Sequence, residues 1–310
     1  MTKTALFFPG QGSQSIGMMA GFEGIALIKE TFTEASDLLG VDFWSMVTEE
    51  NTMLNQTEHT QPLMLAAGVA TWRVYQTMKG ITPAFLVGHS LGEYTALVAA
   101  EAISFADAVP LVKFRAEAMQ SAVPEGVGAM AAILGLEDEV VDAVCIESAK
   151  GEVVTPVNLN SPGQVVIAGN KAAVERAMML AKDKGAKRAL QLPVSVPSHC
   201  ALMIPAAKKL SEYLKDVIVN APTIPVIHNA DVVTYDDGEK IKDALVRQLY
   251  SPVRWAETVR LIHKLQISQS AECGPGKVLT GLTKRIVKDL PCTALINIDA
   301  VAEYKSLTQL

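Results

Sequence analysis

Several features that mark particular protein classes are scarce or missing in this sequence. Its 310 residues contain four cysteines, none of them in a C-x-x-C pair, and no two histidines at metal-ligand spacing. Widely spaced thiols in a chain of this size are typical of buried or incidental cysteines. We therefore expect neither a disulfide framework nor a metal site.

Long apolar runs and an excess of positive charge are missing as well. No stretch approaches the roughly 20 apolar residues that span a bilayer, and the apolar run at 5–8 ends at Pro9-Gly10, which makes it too short for a secretory signal. The net charge of −6 gives no long-range attraction to nucleic acid or anionic lipid. These absences predict a cytoplasmic protein, taken as a monomer, that binds neither nucleic acid nor membranes.

What the sequence does contain is a large apolar fraction in alternating strand and helix patterns. Hydrophobic residues make up 49% and charged residues 19%, which is enough for a sizeable core in one large domain or in two ordinary ones. Short apolar runs at 4–8, 84–87 and 267–272 predict buried strands, and each ends at a glycine-containing loop. This order predicts a parallel α/β domain.

The pattern changes from about residue 125 onward. Strands are predicted at 127–134, 153–159, 164–168 and 186–191, and helices at 137–149 and 171–184. The resulting order, β-α-β-β-α-β, is typical of a ferredoxin-like unit. We therefore expect an α/β domain formed by residues 1–124 and 194–310, interrupted by a small α+β subdomain at 125–193.

A candidate nucleophile elbow lies between a predicted strand and a predicted helix. The segment Gly88-His89-Ser90-Leu91-Gly92 matches the pattern G-x-S-x-G. In such an elbow a serine on a tight turn stands clear of the sheet, and the two glycines leave room for the turn. The helix that follows directs N–H groups toward developing negative charge. An ordinary strand-helix turn with a capping serine would show the same five residues.

Acyl transfer also needs two fixed N–H donors for the oxyanion of its tetrahedral intermediate. The N–H of Leu91, directly after the serine, is the expected first donor. The loop after the first strand is the best source of the second, with the N–H of Gln11 as donor. This loop has neither the G-x-x-x-x-G-K-[ST] nor the G-x-G-x-x-G pattern of phosphate-binding loops, whereas a plain glycine-rich turn stays open.

The serine needs a base, and His199 is the best placed of the histidines. It lies in Pro197-Ser198-His199-Cys200, where the insertion ends and the large domain resumes, so it can face a cleft between the two. We expect His89 to pack or bond locally, because adjacent side chains on a sharp turn point apart. A surface or core role for His199 stays open.

These segments together resemble the malonyl-CoA:acyl carrier protein transacylases, most closely the stand-alone bacterial enzymes of type II fatty acid synthesis. The resemblance covers nearly the whole chain and rests on six motifs in the order of the family. They are FPGQGSQ at 8–14, GHSLGE at 88–93, VKFRAE at 112–117, NLNSPGQ at 158–164, PSH at 197–199 and GPG at 274–276.

The resemblance implies both a fold and an activity. The fold is a hydrolase-like α/β domain with a ferredoxin-like insertion. The activity is transfer of malonyl from malonyl-CoA to the phosphopantetheine thiol of acyl carrier protein, by a ping-pong mechanism through malonyl-Ser90. No cofactor is implied, because the coenzyme A thioester is a substrate. Many malonyl-selective members have Phe directly before the active-site histidine, where this chain has Ser198.

The resemblance also implies roles for individual residues. His199 is the base, and the backbone carbonyl of Gln248 orients it. Arg115 pairs with the malonyl carboxylate, and Gln11 and Leu91 supply the oxyanion donors.

Arg115 points to an anionic substrate on its own chemistry as well. It lies in a mostly apolar helical segment, and a guanidinium there needs an anionic partner such as a carboxylate on the acyl group. An internal ion pair with Glu117 or a more distant acid is the alternative.

Two basic clusters are candidates for docking an acidic carrier protein, with ordinary solvated surface as the alternative. They consist of Lys182, Lys184, Lys187 and Arg188 in the insertion, and of Lys277, Lys284, Arg285 and Lys288 on a late helix.

Two other functions stay open from the residues alone. A serine thioesterase or other hydrolase would use the same elbow, although Asp142 and Asp183, between Ser90 and His199, both lie in the predicted insertion. A non-catalytic scaffold that binds a carrier protein would leave Ser90 unacylated.

Overall fold

The computed structural model describes residues 2–194 and 196–309, so residues 1 and 310, the outer limits of the expected large domain, lie outside it. Its strands form two separate sheets. The strands are β1 (Thr4–Phe8), β2 (Phe85–Gly88), β3 (Gly128–Leu134), β4 (Val154–Ser161), β5 (Gln164–Asn170), β6 (Arg188–Gln191), β7 (Val226–Ile227), β8 (Gln269–Glu272) and β9 (Cys292–Ala294).

Helices connect these strands and cover the sheets. They are α1 (Ala26–Leu39), α2 (Phe43–Thr48), α3 (Thr57–Thr77), α4 (Gly92–Ala99), α5 (Phe105–Gln120), α6 (Asp138–Ala149), α7 (Lys171–Asp183), α8 (Ile204–Leu214), α9 (Gly238–Gln248), α10 (Trp255–Lys264), α11 (Val278–Ile286) and α12 (Ile298–Thr308), with 3₁₀ turns at Ala20–Phe22 and Ala201–Met203. Among the described residues, no helix combines the length and the apolar character required to cross a bilayer.

The larger sheet has the strand order β7-β2-β1-β8-β9, and all neighbouring strands are parallel. Its register places Phe8 opposite Gly88 and Phe7 opposite Glu272. The loops after β1, β2 and β8 therefore begin side by side at the carboxyl edge of the sheet, where ligands bind in open α/β folds.

Both faces of this sheet are buried, which explains why its strands read as continuous apolar runs. Along β1, Leu6 and Phe8 pack into one apolar cluster with α3, α4 and α5. Ala5 and Phe7 point to the opposite face and join a second cluster that contains Trp255 of α10. A chain that alternated apolar and polar residues could not fill such a two-sided core.

The smaller sheet is antiparallel, with the order β4-β5-β3-β6. One face packs on α6 and α7 through residues such as Ile133, Ile167 and Val174. The other face carries Met130 and meets Cys200 of the large domain. This is the predicted β-α-β-β-α-β unit, and the predicted fold class, a parallel α/β domain with a ferredoxin-like insertion, is confirmed.

Short elements at the margins differ from the sequence prediction. No prediction covered α2, β9 or α12. The six residues of α2 and the three of β9 are too few to show a clear period, whereas α12 has 11 residues. Asp42 and Asn297 accept hydrogen bonds from N–H groups in the first turns of α2 and α12, so these caps were the available signal. The segment 200–217 is not one continuous helix: a 3₁₀ turn, Ala201–Met203, is followed by α8, which begins at Ile204-Pro205.

Candidate active site

Ser90 occupies a strained turn between β2 and α4. Its φ is +52°, in the left-handed region that residues other than glycine rarely adopt. A Cβ on Gly88 would lie 1.8 Å from the carbonyl carbon of Gly92, and a Cβ on Gly92 would lie 2.0 Å from the carbonyl oxygen of Phe8. Both glycines are therefore required for the close approach of strand, turn and helix.

His199 lies directly against the serine, although the two are 109 positions apart in the chain. The distance from Ser90 Oγ to His199 Nε2 is 2.8 Å, and His199 Nδ1 is 2.7 Å from the backbone carbonyl oxygen of Gln248. Because a carbonyl oxygen can only accept, Nδ1 carries the proton. Nε2 is therefore free to accept the proton of the serine hydroxyl.

The surroundings of His199 keep its imidazole neutral. Burial, and then the nearby charge of Arg115, lower the pKa of His199 to about 3. The residue has a left-handed backbone with φ of +65°, and its N–H donates to the carbonyl of Leu249 at 2.9 Å. An unprotonated base is thus held in a fixed orientation at neutral pH.

Arg115, from α5, is buried with 1% of its surface exposed and forms no ion pair within residues 2–194 and 196–309. Its Nη1 donates to Gln61 Oε1 at 2.7 Å, and its Nη2 donates to Gln248 Oε1 at 2.9 Å and to Ser90 Oγ at 3.2 Å. Glu117, the acid considered as an alternative partner, is instead 3.9 Å from Lys113. A buried cation without an acid is costly, and it is suited to receive an anion.

The two expected oxyanion donors lie beside the elbow. The loop after β1 packs on the turn so closely that a Cβ on Gly10 would be 2.5 Å from the carbonyl oxygen of His89 and 3.7 Å from the backbone nitrogen of Leu91. Gln11 and Leu91 both line the cavity next to Ser90. In the described part of the chain, neither backbone N–H has a hydrogen-bond acceptor.

This cavity of about 130 Å³ lies between the two domains. Ser90, His199 and Arg115 line it from the large domain, and Met130 and Leu192 line it from the insertion side. A larger cavity of about 570 Å³ beside α1 and α2 is mostly apolar and is lined by no serine, cysteine or histidine. The chemistry therefore belongs to the smaller cavity.

A buried hydrogen-bond network that was not predicted from the sequence lies behind the elbow. Glu93 of α4 is fully buried and accepts hydrogen bonds from His228 Nδ1 at 2.7 Å, from the N–H of Asn229 at 2.9 Å and from Gln248 Nε2 at 2.9 Å. The side chain of Asn229 in turn accepts the N–H of Ser90 at 2.7 Å. A lone acid within an apolar helix was a signal for Glu93, whereas nothing in the sequence singled out Asn229.

His89 packs against a neighbouring ring, as expected, but its contacts are with residues distant in the sequence. Its Nε2 is 2.9 Å from Asn160 Oδ1 of β4, and its ring packs against Trp255. These partners are distant in sequence, because the insertion and α10 both fold back over the elbow.

Both predicted basic clusters lie on the surface. Their members, Lys182, Lys184, Lys187, Arg188, Lys277, Lys284, Arg285 and Lys288, are all exposed.

Comparison with known proteins shows which family this chain belongs to. The profile of the acyl transferase domain matches residues 6–295. The malonyl CoA-acyl carrier protein transacylase of Salmonella typhimurium is 56% identical over 297 residues, which cover 95% of this chain and 96% of that protein.

Two solved structures share the fold. An acyl carrier protein S-malonyltransferase from Vibrio cholerae is 57% identical and superposes with a TM-score of 0.95, over 97% of this chain and 99% of that one. A malonyl-transacylase solved in complex with a type II PKS acyl-carrier protein is 52% identical, with a TM-score of 0.97 over 99% of this chain and 100% of that one.

Proposed function

Because this chain belongs to the acyl transferase domain family and, within it, to the malonyl CoA-acyl carrier protein transacylases, we propose that it transfers malonyl from malonyl-CoA to the phosphopantetheine thiol of acyl carrier protein through malonyl-Ser90. It is an acyltransferase of fatty acid biosynthesis. The observation that carries the proposal is the joint approach of His199 Nε2 and Arg115 Nη2 to Ser90 Oγ, at 2.8 and 3.2 Å.

In the first half-reaction the Ser90 hydroxyl attacks the thioester carbonyl while His199 Nε2 takes its proton. The N–H groups of Gln11 and Leu91 stabilise the oxyanion, and one such donor contributes about 100- to 1000-fold in rate. When the C–S bond breaks, the proton on His199 passes to sulfur. Coenzyme A then leaves as the thiol, and Ser90 keeps the malonyl ester.

Arg115 receives the malonyl carboxylate, which is one methylene away from the ester carbonyl. A guanidinium matches a carboxylate in charge and in shape. The bound carboxylate also offsets the positive charge of Arg115, which otherwise lowers the pKa of His199. The imidazolium that forms during the reaction is therefore less unfavourable with a malonyl group than with an uncharged acetyl group.

In the second half-reaction the phosphopantetheine thiol replaces coenzyme A. His199 takes the thiol proton, the sulfur attacks the ester of Ser90, and His199 returns the proton to Ser90 Oγ as the C–O bond breaks. A neutral carbonyl from Gln248 stabilises the imidazolium less than a carboxylate would, which is sufficient for a thioester with a good leaving thiol.

A hydrolase is the competing proposal, because it would use the same elbow. The apolar side chains of Met130, Leu192 and Val194 line this cavity and offer no strong hydrogen-bond partner that would orient an attacking water. The acyl-serine then survives until the carrier thiol arrives. We further propose that the enzyme works in the cytoplasm and needs no cofactor, since the thioester itself is the activated substrate.

Intact-protein mass spectrometry after treatment with malonyl-CoA tests this proposal. We expect the mass of one malonyl group to be added to the wild-type chain, lost on addition of a carrier thiol, and missing in Ser90→Ala. A chain that stays unmodified would support a non-catalytic scaffold. Rapid release of free malonate without any carrier would support a hydrolase.

A further inference from the structure

Within the part of the chain that the structure describes, only uncharged groups contact the buried guanidinium of Arg115. Gln61 Oε1 accepts from Nη1 at 2.7 Å and Gln248 Oε1 accepts from Nη2 at 2.9 Å. The ring of Tyr94 lies 5.3 Å below the guanidinium carbon. Arg115 therefore has a fixed position, while none of its contacts neutralises its charge.

The two glutamines are unusually placed for this residue type, because both are buried, with 1% and 0% of their surface exposed. A buried amide must have its hydrogen bonds satisfied, and each of these turns its oxygen toward the guanidinium. The amide nitrogen of Gln61 faces the weak acceptor Sδ of Met119 at 3.7 Å. Their placement is thus explained by contact with Arg115.

The orientation of the Gln248 amide is fixed by charge at both of its ends. Its nitrogen donates to the Glu93 carboxylate at 2.9 Å and to the carbonyl oxygen of Ser90 at 3.0 Å, so that nitrogen cannot exchange places with the oxygen. The carboxylate of Glu93 is occupied by three donors, one of them this amide. The side-chain amide of Gln248 therefore separates the Glu93 carboxylate from the Arg115 guanidinium.

We propose that Gln61 and Gln248 are specificity-determining positioning residues. Their uncharged amide oxygens form a clamp that holds the Arg115 guanidinium in place without neutralising it, so its charge remains available to bind the carboxylate of the acyl group. The inference rests on the proposed function, because it assumes that a malonyl group occupies the site. A glutamate in either position would have the same shape but would form an internal ion pair with Arg115 and compete with the substrate.

Gln61→Glu is the sharpest test, since it exchanges one amide nitrogen for an oxygen and, among the described residues, no acid contacts this side of Arg115. The measurement is the rate of Ser90 acylation by malonyl-CoA and by acetyl-CoA over a range of pH. We expect the malonyl-to-acetyl ratio to fall roughly 10- to 100-fold, as for loss of a charge-assisted contact. We also expect a rise in the acid limit, which is the pH below which acetyl transfer slows. A neutralised Arg115 lowers the pKa of His199 less, so His199 becomes protonated at a higher pH.

Gln61→Met distinguishes the effect of an internal ion pair with Arg115 from the effect of losing the hydrogen bond to Arg115. It removes the clamp without adding charge, so the ratio should fall less than in Gln61→Glu and the acid limit should stay where it is in the wild type. Gln76→Glu, on an exposed turn of the same helix α3, adds the same charge and should leave both acylation rates within about twofold.

The outcomes separate the two proposals. If the wild type is not acylated by malonyl-CoA, the proposed function itself fails. If the wild type is acylated but Gln61→Glu slows malonyl and acetyl transfer in equal proportion, the clamp is only structural and this inference is overturned. Should Gln61→Glu not fold, an unchanged malonyl-to-acetyl ratio in Gln61→Met would overturn it equally.

Discussion

Burial sets the chemistry of the two ionisable side chains beside Ser90. Water that would stabilise a charge is excluded from His199 and Arg115 alike, so each depends on the few groups that contact it. His199 responds by staying neutral, which a base requires. Arg115 stays charged and therefore needs an anionic partner, which the carboxylate of the acyl group supplies.

The pH dependence of acylation follows from the low pKa of His199. Burial, and then the Arg115 charge, lower that pKa to about 3, so the base is already unprotonated in mildly acidic solution. We expect the rate of Ser90 acylation by acetyl-CoA to be flat between about pH 5 and pH 8. Stopped-flow or quenched mass measurements across this range check it, and an acid limb near pH 6.5 would contradict it.

The same residue should make stability depend on pH. In the unfolded chain His199 has its ordinary pKa of 6.5 and in the folded chain a pKa of about 3, so between these values the unfolded state binds more protons. Stability therefore rises with pH through this window, by up to about 1.4 kcal/mol per pH unit. Thermal unfolding of His199→Asn from pH 5 to pH 7 should show a shallower slope than the wild type; equal slopes would refute the assignment.

Removal of the Arg115 side chain should affect malonyl far more than acetyl. We expect Arg115→Ala to lose about 10- to 100-fold in malonyl transfer relative to acetyl transfer, because a charge-assisted contact contributes about 1.5–3 kcal/mol. Initial rates with the two thioesters give the ratio. Lys113→Ala, on the same helix but in a half-exposed ion pair, is the control, and equal losses on both substrates for Arg115→Ala would exclude the carboxylate role.

At the scale of elements, the turn between β2 and α4 depends on glycine for space. The Cβ of Gly88→Ala would collide with backbone atoms of Gly92 at 1.8 Å, and backbone cannot move aside as a flexible side chain can. We expect Gly88→Ala to destabilise the fold by more than about 2 kcal/mol and to abolish acylation. Denaturant unfolding and mass spectrometry measure the two effects.

Gly281→Ala is the matched control for that variant. Gly281 lies within α11, and a Cβ there would meet no atom within 4 Å. Alanine should therefore stabilise the helix by about 0.5–1 kcal/mol and leave acylation unchanged. If Gly88→Ala behaved like Gly281→Ala, the elbow would not require the close backbone approach.

At the scale of the whole molecule, the cavity lies between two domains. Each domain carries one of the two exposed basic clusters. We expect Lys284→Glu combined with Arg285→Glu to raise the KM for the carrier protein at low salt, with a smaller effect at high salt, because an acidic partner is attracted over several ångströms. Acylation by malonyl-CoA should be unaffected. Lys3→Glu combined with Lys29→Glu, both exposed positions outside the clusters, carries the same charge change and should not alter that KM.

Much of the fold could be predicted from the sequence because its signals are local. A short apolar run such as Thr4–Phe8, ended by Pro9-Gly10, is typical of a strand buried on both faces, and the strand and helix order of 127–191 specifies the insertion. Two of the elements that were missed, α2 and β9, have too few residues for a period to appear. Their stability comes from packing, which a sequence does not display.

The candidate site also has a part that the sequence specifies locally and a part that depends on tertiary contacts. The sequence by itself determined the elbow, because Gly88, Ser90 and Gly92 act within a few bonds of one another. Only the tertiary structure decided the partners of Arg115, since Gln61 and Gln248 lie 54 and 133 positions away from it along the chain. Hydrogen bonds reach about 3 Å, so these contacts exist only once the chain has brought α3, α5 and α9 together behind the elbow.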